Sequence, residues 1–323
     1  MNSLSPTVAR CLPYLWSKGI SQYCDFAGPR TYWLQGTECQ QSAQFFGQHY
    51  ANARGVVWVR LGTKSRDAQL CDLDMFVEET LPTVHQLFSL ITTDGDASVP
   101  GDLAARTVKN LTQSPWLASW YTQNYDGTKC SKIAPIPIGL DLHTPRDGMN
   151  SERLVDMIET VRADRLPLHR VPLKVFCDLG VSLASEERIR AVASLGQCRH
   201  VDFLTSRISQ TEIWRRYAQY PFVISAEGNG LDCHRTWELL YLGCIVITRS
   251  SSLDPLFDDL PVVLVQDWDE VCDRRNLAIW LRQYAELTEA SYIRQKLHPI
   301  NYLARIREGL AVVQVEPGSD GSK

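Results

Sequence analysis

The stretch from Pro221 to Arg249, PFVISAEGNGLDCHRTWELLYLGCIVITR, constrains the fold of this chain more than any other. Phe222 to Ala226 is an apolar run of strand length. Glu227-Gly228-Asn229-Gly230 offers residues that tolerate the positive φ of a sharp turn. Asp232 stands where a helix N-cap is expected. Trp237, Leu240 and Tyr241 recur at helical spacing, and Gly243 ends the helix. Cys244 to Thr248 is a second apolar run. A strand, loop, helix and strand in this order belong to a helix-covered parallel sheet.

The polarity of this unit is concentrated at one place. His234, Arg235 and Glu238 fall in the first turns of the helix, and Arg235 and Glu238, three apart, share a face. A glycine loop before a helix exposes unpaired N–H groups and the positive end of the helix dipole. Arginine and histidine beside it make a place for a phosphate or diphosphate. Glu238, one turn further in, is an acceptor for sugar hydroxyls. The pattern predicts a nucleotide sugar, with its diphosphate on Gly228, Asn229, Gly230 and Arg235 and its ribose on Glu238. A plain Arg–Glu pair on a solvated helix face is the alternative. The two flanking buried runs favour the ligand, because α/β proteins bind ligands at the carboxyl edge of the sheet.

The rest of the chain alternates in the same way. In the first half, strands are expected over Tyr32–Gln35, Val56–Leu61, Phe88–Thr93 and Trp116–Tyr121, with an extended segment over Lys132–Leu140. Helices are expected over Glu38–Tyr50, Asp72–Leu81 and Asp102–Leu111. A polar, mostly helical connection runs from Asn150 to Arg170. A second alternation follows, with strands over Leu173–Asp178, His200–Leu204 and Pro261–Val265. Its helices are Ser185–Leu195, Ser209–Tyr220, Trp268–Leu287 and Glu289–Glu308. The fold class is therefore α/β, with one Rossmann-like domain over residues 1–165, a second over 166–285, and a C-terminal helix and loose tail over 286–323. Two such domains make a cleft suited to a two-substrate transferase.

A net charge of −4 spread without long runs argues against a nucleic-acid partner. No stretch of 18 apolar residues exists, so no membrane span is expected, and the N-terminus lacks the pattern of a signal peptide. The ten cysteines form no CxxC pair. They read as reduced, buried thiols of a cytoplasmic protein.

Taken together, Gly228-Asn229-Gly230, Asp232, His234-Arg235, Trp237-Glu238 and Leu242-Gly243-Cys244-Ile245 resemble the nucleotide-sugar half of exostosin-like glycosyltransferases. Leu260-Pro261-Val262-Val263 and Asp267-Trp268 are similar to the same pattern. So, in weaker form, are Thr93-Asp94-Gly95-Asp96 through Pro100 and Pro135-Ile136-Pro137-Ile138-Gly139-Leu140. The resemblance covers about three quarters of the chain and implies a GT-B architecture of two Rossmann-like domains. It implies sugar transfer from a nucleoside diphosphate sugar, commonly UDP-linked, to a hydroxyl of a glycan or small-molecule acceptor, usually without a bound metal, and no other cofactor is expected. The family's arginine and glutamate roles fall on Arg235 and Glu238. Where the family often has a proline before the glycine loop, this chain has Ala226-Glu227.

Glycosyl transfer also needs cations for the leaving diphosphate and a base for the acceptor hydroxyl. Arg235 is the first cation. Arg207 is a second, and His234 is a further donor. Asp96 and Asp94, after an apolar strand, are the candidate bases, with Asp25, His49 and Asp141 behind them. Asp94-Gly95-Asp96 also spells DxD, the metal–diphosphate motif of the GT-A fold, which would make the donor site metal-dependent. A non-catalytic nucleotide-sugar or glycan-binding protein is the other alternative. A dehydrogenase is disfavoured by the missing third glycine after Gly230.

Overall fold

The computed structural model describes residues 9–34, 40–62, 71–144, 146–182 and 185–315. These form two compact units, each built on a parallel sheet. The N-terminal unit spans 17–137 and takes back 299–323; the C-terminal unit comprises 1–16 and 138–298.

The N-terminal unit opens with α1 (Arg30–Leu34) and α2 (Ala43–Tyr50), followed by β1 (Gly55–Arg60) and α3 (Asp72–Met75). Then come β2 (Phe88–Thr93), α4 (Ala105–Gln113), β3 (Leu117–Thr122) and β4 (Ile133–Pro135). The strands lie in the order β1-β2-β3-β4, all parallel. Val56 to Val59, Phe88, Leu90, Ile91 and Trp120 are wholly buried, as strands covered on both faces require.

The C-terminal unit runs α5 (Ser151–Ala163), β5 (Val175–Cys177), α6 (Glu186–Leu195), β6 (Val201–Phe203) and α7 (Gln210–Tyr217). It continues through β7 (Phe222–Ile224), α8 (His234–Tyr241), β8 (Ile245–Arg249), β9 (Val262–Val265), α9 (Arg274–Tyr284) and α10 (Ala290–Lys296). Its parallel strands lie in the order β6-β5-β7-β8-β9. Val175, Phe222, Ile224, Ile245 and Ile247 form its core. The last helix, α11 (Pro299–Val315), packs over β1, β2 and β3 and buries Leu303, Ile306 and Leu310. The expected class, α/β with two Rossmann-like units on parallel sheets, is the one observed.

Several boundaries move. The domain boundary expected at 165 lies at Pro137/Ile138, because α5 packs on α7 and α8 of the C-terminal unit. The opening residues also join that unit: Leu15 donates its N–H to the Tyr241 hydroxyl and accepts from the Leu140 N–H. The expected tail at 286–323 divides at His298/Pro299, where proline interrupts the helical run. The expected strand at Tyr32–Gln35 is instead α1; Tyr32 and Trp33 are buried, and Tyr32 packs its ring against Phe45 and Phe46. A short aromatic run has no period by which to choose between strand and helix. Gln35 to Cys39 fall outside the described residues, so the start of the helix expected from Glu38 does too. The helix expected over Trp268–Leu287 breaks at Asp273, whose carboxylate caps α9.

Cys198 and Cys272 are joined as a disulfide, with Cα atoms 5.0 Å apart, where the sequence predicts thiols throughout. They meet because the end of α6 packs against the short helix Trp268–Cys272. No helix of the described residues is long and apolar enough to cross a membrane.

Candidate functional site

The strand order of the C-terminal sheet reverses direction between β5 and β7. Such a switch point opens a crevice beyond the carboxyl ends of the two strands, where α/β proteins take their ligands. A cavity of ≈ 350 Å³ lies here. Asp178 and Val181 line it from the end of β5, Leu204 from the end of β6, and Cys233, His234 and Arg235 from the start of α8.

Four arginines line this cavity, Arg146, Arg188, Arg207 and Arg235, against two carboxylates, Asp178 and Glu238. The lining therefore carries a surplus of two positive charges, before any contribution from His234. Arg235 is the most constrained of the four. Its side chain is 18% exposed, and Nη2 lies 3.2 Å from Asp178 Oδ2. Its Nη1 is buried with no hydrogen-bond partner among the described residues. Burial opposes the charge, yet the Asp178 carboxylate and the Tyr217 oxygen hold the guanidinium more firmly protonated than usual. Tyr217 donates its hydroxyl to Asp178 Oδ2 at 2.7 Å. A buried guanidinium nitrogen with no acceptor costs free energy that an anion recovers.

Arg188, on α6, is held by neutral partners. Its Nε donates to the Glu227 carbonyl at 2.8 Å and its Nη1 to the Ser182 carbonyl at 3.1 Å. Ser185 caps α6, as its position in the sequence predicts, and also donates to the Glu227 carbonyl. Arg207 is exposed at the rim. Arg146 joins two carboxylates, with Nη1 2.8 Å from Glu238 Oε1 and Nη2 2.6 Å from Asp141 Oδ2. Glu238 is 4% exposed, and its other oxygen accepts from Trp214 Nε1 at 3.0 Å. Both oxygens are engaged, and each keeps a second lone pair for a ligand hydroxyl.

Of the eight donor residues expected from the sequence, Arg207, His234, Arg235 and Glu238 line this cavity, and Gly228, Asn229, Gly230 and Asp232 do not. Neither Gly228 nor Gly230 has the positive φ expected of it. The Gly228 N–H is spent within the loop on the Gly230 carbonyl at 3.0 Å. Gly228 answers to a close approach instead: a Cβ there would lie 2.9 Å from Arg188 Nη2. Asn229 is exposed. Asp232 is not the N-cap of α8. That place belongs to Cys233, which makes no side-chain capping bond.

Asp232 instead ties two segments together. Its Oδ2 accepts from the Ile138 N–H at 2.7 Å and its Oδ1 from Trp237 Nε1 at 2.8 Å. Burial pushes its carboxyl up to about 6 against the pull of these two donors. Glu227 lines a neighbouring cavity of ≈ 320 Å³, with Glu187, Arg190 and Arg249, and does not line the arginine cavity.

Arg146, Arg188 and Asp178 are the charged lining residues that the sequence did not single out. Arg188 had one legible signal, its place in the first turns of a helix capped by Ser185. Arg146 had none.

The candidate bases Asp94 and Asp96 lie in the N-terminal unit, just beyond β2. Asp94 adopts a positive φ of 66° and is 3% exposed. Its Oδ2 lies 2.5 Å from Lys18 Nζ, and both side chains are 2% exposed. A carboxylate neutralised in this way is ill suited to hold a metal as half of a DxD pair. Asp96 is exposed. Asp25 accepts from the Val56 N–H and pairs with Arg307. His49 sits in the last turn of α2, its ring against Phe45. Among the described residues one group of three could hold a metal ion: Asp141, His143 and His234.

No protein-family model and no curated protein sequence matches the chain. Solved structures similar to it include a UDP-forming α,α-trehalose-phosphate synthase from Burkholderia xenovorans, 11% identical, over 80% of this chain and 74% of that one, with a TM-score of 0.43. A second, from Burkholderia vietnamiensis, is 11% identical over 85% and 77% with a TM-score of 0.44. A glycosyltransferase from Rickettsia africae is 12% identical over 84% and 80% with a TM-score of 0.37. Likeness at this level transfers no residue role.

Proposed function

We propose that this chain is a GT-B-type, exostosin-like glycosyltransferase that takes a sugar from a nucleoside diphosphate sugar, UDP-linked, and passes it to a glycan hydroxyl. The observation that carries this is the surplus of guanidinium charge lining the cavity at the switch point, including a nitrogen of Arg235 that lacks an acceptor among the described residues. A diphosphate supplies the matching charge and the missing acceptor. Arg235, Arg188 and Arg207, with the N-terminal turn of α8, stabilise the leaving diphosphate by electrostatics set in place before the reaction. Glu238 takes the ribose hydroxyls on its remaining lone pairs. Guanidinium groups take the part that a bridging metal plays elsewhere, so the donor phosphates need no added Mg²⁺ or Mn²⁺. Asp96 is the general base, because Asp94 is committed to Lys18.

The test is a thermal-shift panel of UDP, GDP, ADP and CMP. At a hundred times its Kd, UDP adds about 2.7 kcal/mol and raises the melting temperature by several degrees. The shift is expected without added divalent metal. A shift that requires manganese moves the donor phosphates to a metal site, and no shift with any nucleotide removes the donor site from this cavity. Slow hydrolysis of a bound UDP-sugar separates an enzyme from a non-catalytic binding protein.

Glu238→Ala is expected to weaken UDP binding by about 1.5–3 kcal/mol, the usual worth of charge-assisted hydrogen bonds. Arg146 keeps Asp141 as its partner in this variant, so the fold survives the change. Unchanged affinity in the folded variant takes Glu238 out of the site.

A further inference from the structure

We propose a second, metal-binding site in the C-terminal unit, in which Asp141, His143 and His234 hold a single zinc ion. Their candidate ligand atoms all lie within 4.8 Å of one another. His143 Nδ1 and Asp141 Oδ1 are 3.2 Å apart. Two ligands of one zinc, each about 2.0–2.1 Å from the ion at the tetrahedral angle, are about 3.4 Å apart. Two imidazoles and one carboxylate are a common three-ligand set for zinc, with the fourth position left to water.

The surroundings are those of a built site. His234 Nδ1 lies 2.7 Å from the Gly139 carbonyl. A carbonyl only accepts, so Nδ1 carries the proton and Nε2 offers a lone pair. A backbone carbonyl behind a ligating imidazole is the usual outer partner of a metal-bound histidine. Asp141 is 6% exposed, and its Oδ2 is braced by Arg146. Oδ1 accepts from the Thr144 N–H and faces His143.

The two ligand-bearing segments are clamped before any ion arrives. Asp232 bonds the Ile138 N–H, and Leu15 bonds the Leu140 N–H. Gly139 has a φ of 71°, and a Cβ there would lie 2.3 Å from the Leu15 carbonyl. The ion would fix the segment carrying Arg146 to the first residue of α8. His234 also lines the arginine cavity, so the ion would border the donor phosphates, which the arginines hold.

The experiment is a titration of the metal-stripped full chain with Co²⁺ in the absence of nucleotide. Its outcome is therefore independent of the donor site. Visible d–d bands of a tetrahedral cobalt site should saturate at one equivalent, without the near-ultraviolet absorption of cobalt–thiolate bonds, and zinc should erase them. His143→Gln should weaken cobalt binding at least about a hundredfold, the upper end of what loss of an outer partner alone costs. Asp141→Asn is the second variant, and each is checked for a cooperative melt before titration. Cobalt binding that persists in both folded variants, thiolate absorption from cysteines such as Cys233, or no saturable band in the wild-type chain overturns the proposal.

Discussion

Replacing Arg235 by methionine is expected to lower stability by about 3–5 kcal/mol and to abolish the thermal shift with UDP. Two separate effects are joined in that one residue. The first is structural. Asp178 is 5% exposed, its Oδ1 has no hydrogen-bond partner among the described residues, and Arg235 is the cation at its Oδ2. Methionine fills most of the volume but leaves a buried carboxylate without a counter-charge, a strongly destabilising arrangement. The second effect is loss of the cation with the unfilled Nη1. The double variant Arg235→Met with Asp178→Asn separates them. The amide oxygen introduced by Asp178→Asn still accepts from the Tyr217 hydroxyl, and the amide carries no charge to strand, so most of the stability should return. Nucleotide binding should not. Recovery of both would make Arg235 a structural partner of Asp178 and nothing more.

The division between what the sequence discloses and what it hides follows the range of the interaction. Local signals were legible. Phe88–Thr93 is a strand from end to end, Ser185 caps its helix, and Gly243 ends α8 at a φ of 80°. Each depends on residues within a turn of one another. Arg235 and Glu238 could be placed on one helix face for the same reason. The partners that decide their chemistry could not. Asp178, Arg188 and Arg146 come to α8 from three other stretches of chain: the strand order β6-β5-β7 sets the end of β5 and α6 beside it, and Arg146 arrives from the segment before α5.

Asp232 shows the same limit from the other side. Its position reads as a cap, but its two oxygens are taken by Ile138, 94 residues away, and by the indole of Trp237. Gly228 also satisfies a turn pattern, while its need for a missing side chain comes from Arg188. A short-range pattern names the residue correctly and assigns it the wrong reason.

Lys18→Met and Asp94→Asn are each expected to lower stability by about 3–5 kcal/mol, and the double variant by far less than their sum. Lys18 lies in an opening segment with no periodicity to mark it, 76 residues from Asp94. Lys18→Met leaves the Asp94 carboxylate buried without its counter-charge. Asp94→Asn leaves the ammonium buried without its carboxylate. Removing both charges strands neither. Asparagine also tolerates the left-handed backbone at position 94, so the Asp94→Asn cost comes from charge and not from φ. Asp96→Asn is the contrast. Asp96 is exposed, so its substitution should change stability by no more than about 0.5 kcal/mol. As the base, it should cut sugar transfer on the order of a hundredfold, with UDP affinity intact. The opposite pattern, full stability in Asp94→Asn with turnover lost, would return the catalytic role to Asp94 and make the ion pair with Lys18 a means of tuning its charge.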